Sequence, residues 1–377
     1  MNEKRKKRIW FLPKPLLIPA AASLLLAIIF AVAVSLAGSR LYDQQAAQIW
    51  ETDGEEAMKY AQLSVFLARD AGLNYDSLLR LQYDIDTQYI EDGIYTKSES
   101  ETARLWVSAA SAEGTVSLSR GENSAMASVA AVIGDYFLFH PLQMMSGQYL
   151  NPQEASKDYV MLDWNTAWRI FGGYDVEGMQ VEIAGYNCIV AGVFEKEEDD
   201  PSDNRIIMSF ELYERINGAA ELNVLEFILP NPVTGHGLQT VEKNLPTAGE
   251  NRVVVENSSR FKLSSLFNAI TDFDETIAQS KSIALPYFEN RARVAVFRGG
   301  VFLLLTAVFA ILPLTCVMMT LVKIYRRRRE FLARIWKKIK RDNEETQDEI
   351  QETDSGVINA DDNSDDALLV QGSDDGE

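Results

Sequence analysis

Cysteine and histidine are nearly missing from these 377 residues, at two of each. Cys188 and Cys316 lie 128 positions apart, the second inside an uncharged run, so no disulfide framework holds the chain together. A segment of roughly 260 residues can build a core without one. His140 and His236 have no cysteine beside them, so a histidine-based metal or catalytic centre has no visible partners. No phosphate-binding glycine loop, nucleophile elbow or H-E-x-x-H pattern occurs. The expectation is a protein that is not an enzyme, with no catalytic, cofactor-binding or metal residue to nominate, no cofactor, and no nucleic acid among its partners.

Charge is missing from two long stretches, and what is present is sorted around them. Leu16 to Ala37 and Gly299 to Val322 contain no charged residue. At 1.5 Å per residue each is long enough to cross a hydrocarbon core about 30 Å thick, and each is expected to be one spanning helix. Pro19 falls in the first turn of its helix, and Pro313 predicts a mid-span kink. Residues 1–37 carry six basic side chains against Glu3, and residues 323–341 carry ten against Glu330. Residues 342–377 have fourteen acidic side chains and no basic one. By the positive-inside rule both chain ends face the cytoplasm of a plasma-membrane protein, and residues 38–298 face outward. A cleaved signal peptide is the competing reading of the first run, since Ser35-Leu36-Ala37 precedes Gly38. The run exceeds the usual 7–15 apolar residues, which favours a retained anchor.

The sequence therefore divides into a basic start (1–15), a first span (16–37), an outer domain (38–298), a second span (299–322), a basic juxtamembrane segment (323–341) and an acidic tail (342–377). In the outer domain, Asp53 with Glu56 reads as a capping box opening a helix to Ala71, with Met58, Ala61, Val65 and Ala68 at helical spacing. Asn74 caps a second helix bearing Leu78, Leu81 and Ile85 on one face. Short strands are expected at 104–111, 115–118 and 125–133. Tyr159 to Leu162 is a buried strand, and Trp164, Trp168 and Phe171 share one face of a helix stopped by Gly172-Gly173. Val181–Ala184 and Cys188–Phe194 form a hairpin across Gly185-Tyr186-Asn187, its second strand central. Glu195, Glu197, Glu198, Asp199 and Asp200 are read as a solvated loop rather than a calcium site, since EF-hand spacing is absent. Gly299-Gly300 marks the start of the second spanning helix. Helices and strands intermingle without regular alternation, so the fold class is α+β.

The order of motifs from Gly134 to Phe194 resembles the MacB-like periplasmic core domain of ABC-transporter permeases of the MacB and FtsX type. Asp135-Tyr136-Phe137 precedes Gly147-Gln148-Tyr149-Leu150, which stands where the family has Gly-Arg-x-Phe. Tyr159 to Leu162 matches its valine-rich strand, Ala167 to Gly172 its helix ending in Phe-Gly, and Gly178 with Gly192-Val193 its hairpin. Val176 departs from the family's proline. The resemblance implies an α+β extracytoplasmic domain between two transmembrane helices. It also implies partners in an ABC ATPase, multi-span permease subunits, and an extracytoplasmic protein or peptide. Such permeases have four spans, and nothing after Val322 here is apolar enough to supply more. Arg326 to Glu330 resembles the basic segment that approaches the ATPase, but Ala333-Arg334-Ile335-Trp336 replaces the expected Ala-Leu-Gly. The expected role is an accessory or partial permease subunit whose outer domain binds a partner or substrate and passes motion across the membrane. A membrane-anchored binding or sensory protein without an ATPase is the alternative.

Beyond the second span, Phe331, Leu332, Ile335, Trp336 and Ile339 line one face of a basic helix. Arg334, Trp336, Lys337, Lys338 and Lys340 are the candidate residues for seating it on an anionic bilayer surface. The acidic tail at 342–377 is expected to be disordered.

Overall fold

A computed structural model describes residues 14–39, 41–52, 58–70, 73–150, 158–197, 199–247, 249–272 and 283–361. The capping-box residues at 53 and 56 lie outside them, as does Glu198. The chain separates into two units, residues 28–306 and, apart from these, residues 1–27 with 307–377.

The larger unit holds the outer domain. After the end of helix α1 (Lys14–Ser39) come a single turn at Tyr42–Gln44 and α2 (Ala46–Thr52). Strand β1 (Tyr60–Leu67) then occupies the stretch expected to be helical. The same apolar residues fit a period of two: Ala61, Leu63, Val65 and Leu67 face the main core, and Phe66 is buried on the opposite face. Burial on both faces suits an interior strand, and tertiary pairing overrode the helical spacing. Helix α3 (Tyr75–Glu91) forms as expected: Asn74 Oδ1 accepts from Ser77 N–H, and Leu78, Leu81, Ile85 and Tyr89 are buried. A short α4 (Lys97–Thr102) follows.

Strands β2 (Val107–Arg120) and β3 (Asn123–Gly134) make one long hairpin where three short strands were expected. Gly114 does not break β2; its missing side chain makes room for the Tyr213 hydroxyl. The chain continues through α5 (Tyr136–Phe139), β4 (Met144–Gly147), β5 (Tyr159–Asp163) and α6 (Trp164–Phe171). Asp163 caps α6 and Gly172, at φ +78°, ends it. Of the aromatic face of α6, Trp164 and Trp168 point outward and Phe171 packs partly buried against the core, while Thr166, Ala167 and Ile170 are buried. Strands β6 (Gln180–Ile183) and β7 (Tyr186–Phe194) form the expected hairpin, turned by Ala184 and Gly185, both at positive φ.

Next come β8 (Arg205–Ser209), α7 (Phe210–Asn217), β9 (Val224–Pro230), α8 (His236–Asn244), β10 (Arg252–Glu256) and α9 (Leu263–Thr271). The sheet runs β10-β1-β9-β2-β3-β8-β5-β7-β4, antiparallel except for β3 with β8 and β5 with β7. Strand β6 pairs with both β7 and the far end of β2, so β2, β3, β8, β5, β7 and β6 close into a ring. The ring encloses Leu118, Val129, Leu162, Val190, Ile206 and Met208, among other aliphatic side chains.

Helix α10 (Tyr287–Asp361) starts twelve residues before the uncharged run and continues past it. Gly299 and Gly300 are therefore internal to the helix. A Cβ on Gly300 would lie 2.5 Å from the Leu266 carbonyl oxygen, so the glycine permits close crossing by α9. Phe30 and Phe302 stack nearby, at 6.1 Å between centroids. In the smaller unit, Ser23 Oγ donates to the Phe309 carbonyl, and α10 is helical through Pro313 and on to Asp361. This corrects the expectation of disorder for 342–361: the segment is rich in glutamate and glutamine, which favour helix, and it extends a helix already nucleated. Residues 362–377 lie outside the described part.

Candidate functional site

Underneath the sheet, where α1 gives way to the outer domain and α10 begins, charged side chains are buried together. Glu226 on β9 is 2% exposed and accepts from Ser64 Oγ on β1 at 3.2 Å. Its other oxygen lies 2.6 Å from His140 Nε2, just after α5. Asn257 Nδ2 donates to Ser64 Oγ at 2.8 Å, tying in the turn after β10. Rings of Phe288 and Tyr136 pack on the imidazole at 4.4 and 4.7 Å between centroids. Burial opposes a charge on His140, but Glu226 and, behind it, Asp43 outweigh that and hold its pKa above the ordinary value.

A second layer reaches the helix ends. Asp43 and Gln44 sit buried in the turn after α1, and Gln62 Nε2 donates to the Asp43 carbonyl. Burial pushes the Asp43 carboxyl up, countered by His140 and Arg291. Arg291 on α10 lies 3.2 Å from Asp43 and 3.0 Å from Glu197. Arg260 donates to both Glu289 oxygens at 2.6 and 2.7 Å and to Gln44 Oε1 at 3.0 Å. Arg293, one turn along α10, donates to the same Glu289 at 2.7 Å. Glu289 itself is 1% exposed. The first two turns of α10 are thus fastened to the turn after α1, to the turn after β10 and to the loop after β7.

That loop corrects the reading of residues 195–200 as merely solvated. Glu197 accepts from the Tyr287 hydroxyl and pairs with Arg291, while buried Asp200 lies 3.5 Å from Arg205. Arg205 also donates to Glu113 at 2.8 Å and rests on the Tyr287 ring. The acidic run was visible in sequence; its basic counterparts were not, because they come from positions 205 and 291.

The remaining candidates lie elsewhere. His236 packs edge-on to Tyr89 with Nε2 3.5 Å from Asp92, apart from His140. Cys188 is buried in β7, and desolvation pushes its thiol up to about 12, so it carries little thiolate at neutral pH. Among the described residues no group of three or more histidine, cysteine, aspartate or glutamate side chains is arranged to hold a metal ion. Arg334, Trp336, Lys337, Lys338 and Lys340 are exposed on α10, with no break in the helix between Val322 and Lys340.

A family model, the MacB-like periplasmic core domain, matches residues 24–234. The chain belongs to that family. Its outer domain is accordingly a MacB-like periplasmic core domain of the ABC-transporter permease type, accompanied by two helices long and apolar enough to span a membrane. Among solved structures it is similar to the extracellular domain of the noncanonic ABC-type transporter YknZ from Gram-positive bacteria. That likeness has 15% identity and a TM-score of 0.36, covering 52% of this chain and 100% of that one. The periplasmic region of MacB from Actinobacillus actinomycetemcomitans is similar at 12% identity and TM-score 0.39, covering 58% and 94%. Among curated proteins none matches the chain.

Proposed function

We propose that this MacB-like chain is an accessory or partial permease subunit, whose outer domain binds a partner or substrate and passes the resulting movement to its two membrane helices. The observation that supports this reading is the buried ion-pair base. Hydrogen-bonded ion pairs are directional and short-ranged, so they fasten α10 to the turn after α1, the turn after β10 and the loop after β7 in one register. A reorientation of the sheet then turns the first turns of α10 with it, and an unbroken helix carries that turn onward. Both chain ends are cytoplasmic in this proposal, and the basic residues flanking the two apolar runs support it.

Purification of the full chain in mild detergent tests the role. Recovery of an ABC ATPase or a multi-span permease supports it. Reproducible absence of both sinks it and leaves a membrane-anchored binding or sensory protein. In the same proposal Arg334, Lys337, Lys338 and Lys340, with Trp336, seat the helix after the second span on anionic lipid. Reversing Lys337, Lys338 and Lys340 should weaken binding of a 323–361 fragment to anionic liposomes by about 1 kcal/mol per charge. Unchanged binding at low salt counts against it.

A further inference from the structure

A cavity of about 480 Å³ opens between α3 and the ring of strands, away from the buried ion pairs. One wall is Tyr75 and Leu79 of α3, each 45% exposed, so their apolar surface is available to a ligand. The opposite wall is Val132 at the end of β3 with Phe137 and Leu150, the Phe137 ring held by stacking on Tyr149 at 4.6 Å. The charge in the lining comes from Glu211 and Glu214, which share one face of α7, and no lysine or arginine contributes. Neither carboxylate is in an ion pair among the described residues. Glu211 stands in the first turn of α7, with Glu214 three residues on.

We infer that this cavity is the ligand site of the outer domain, and that its ligand is a small amphipathic cation such as an apolar peptide bearing a lysine or arginine. The size suits a ligand of that kind, since pockets for small molecules run from about 300 to 1,000 Å³. Apolar walls bury the body of the ligand, and the two glutamates select the sign of its charge. An anion would meet two carboxylates with no compensating cation; a neutral ligand would leave them unanswered. The surrounding field has the same sign, because residues 38–322 carry 39 acidic against 20 basic side chains. The two walls belong to different parts of the fold, so an occupied cavity holds α3 and α7 at a set separation. That consequence rests on the permease-like reading above; the binding itself does not.

The test uses the full chain in nanodiscs of zwitterionic lipid, with empty nanodiscs as background. Three fluorescent probes, dansyl-leucyl-lysine amide and its norleucine and glutamate counterparts, are titrated by anisotropy. The lysine probe should bind saturably, the norleucine probe more weakly, and the glutamate probe least. Replacing both carboxylates, Glu211→Gln with Glu214→Gln, should weaken the lysine probe by about fivefold, as expected for partly exposed ion pairs, and leave the norleucine probe unchanged. Leu79→Asn should weaken both. Equal binding of lysine and glutamate probes, no saturable binding, or an unaltered lysine probe on the double variant would overturn the inference. Failure here with an ATPase still co-purifying sinks the site alone; probe binding without any co-purifying ATPase or permease sinks the permease role alone.

Discussion

The closed ring of strands and the base beneath the sheet are both deeply buried, yet they are built from opposite materials. Inside the ring, Leu118, Val160, Leu162, Val181, Ile183 and Ile206 are aliphatic and nearly inaccessible. At the base the inaccessible residues include Asp43, His140, Glu226, Arg260 and Glu289. Aliphatic burial stabilises at about 25 cal/mol per Å². Buried ion pairs recover their desolvation cost only with good geometry, and well-packed apolar replacements often equal or exceed them. The ring is therefore the part that keeps the domain folded. The base is poorly explained by stability and well explained by a need to hold α10 in one orientation.

The strongest way to break this contrast is to remove one partner at the base. Glu289→Ala strands the buried Arg260 guanidinium and should cost about 3–5 kcal/mol of stability, read by unfolding of the full chain in detergent. Combining Glu289→Leu with Arg260→Met should recover most of that loss; if it does not, the base is a stabilising element after all. In the ring, Leu162→Ala should cost about 2–5 kcal/mol through lost burial and the cavity left behind.

A smaller effect separates the regions by pH. His140 is held above its ordinary value of 6.5, so its contribution is fully present below pH 6.5 and fades as pH rises through the folded-state value. Asp43 is also raised and acts with the same sign, from its ordinary value of 3.8 upward. Melting temperature should thus fall between pH 6.5 and mildly alkaline pH, and His140→Gln should flatten that slope. Leu162→Ala should lower the whole curve without changing its slope. The smallest effect belongs to the outward aromatic face of α6: Trp168→Ala should shift stability by no more than about 0.5 kcal/mol. A larger loss would mean that this face is covered in the protein.

Local signals predicted the elements whose own residues decide them. Asn74 and the spacing of Leu78, Leu81 and Ile85 define α3; Gly185 marks the β6–β7 hairpin, whose turn is Ala184-Gly185 rather than the expected Gly185-Tyr186-Asn187; Gly172 stops α6. Failures came where distant pairing chose between two periodicities. Ala61 and Val65 satisfy both helical and strand spacing, and only β9 and β10 on either side select the strand. Helical spacing put Trp164 and Trp168 on one face of α6 without saying which way it points; the smaller Thr166, Ala167 and Ile170 fit against the sheet, and the two tryptophans are left exposed.

The two uncharged stretches, the sign of charge beside them and the order of motifs shared with the MacB-like family can all be read along the chain. Each of these depends on length, charge or short-range backbone geometry. That Glu226 meets His140, that Arg260 meets Glu289, and that two glutamates of α7 share a cavity with an apolar wall on α3 emerges only in the folded chain. Those groups are separated by between 29 and more than 130 positions, and what joins them is the strand order and the crossing of helices, which no local pattern encodes.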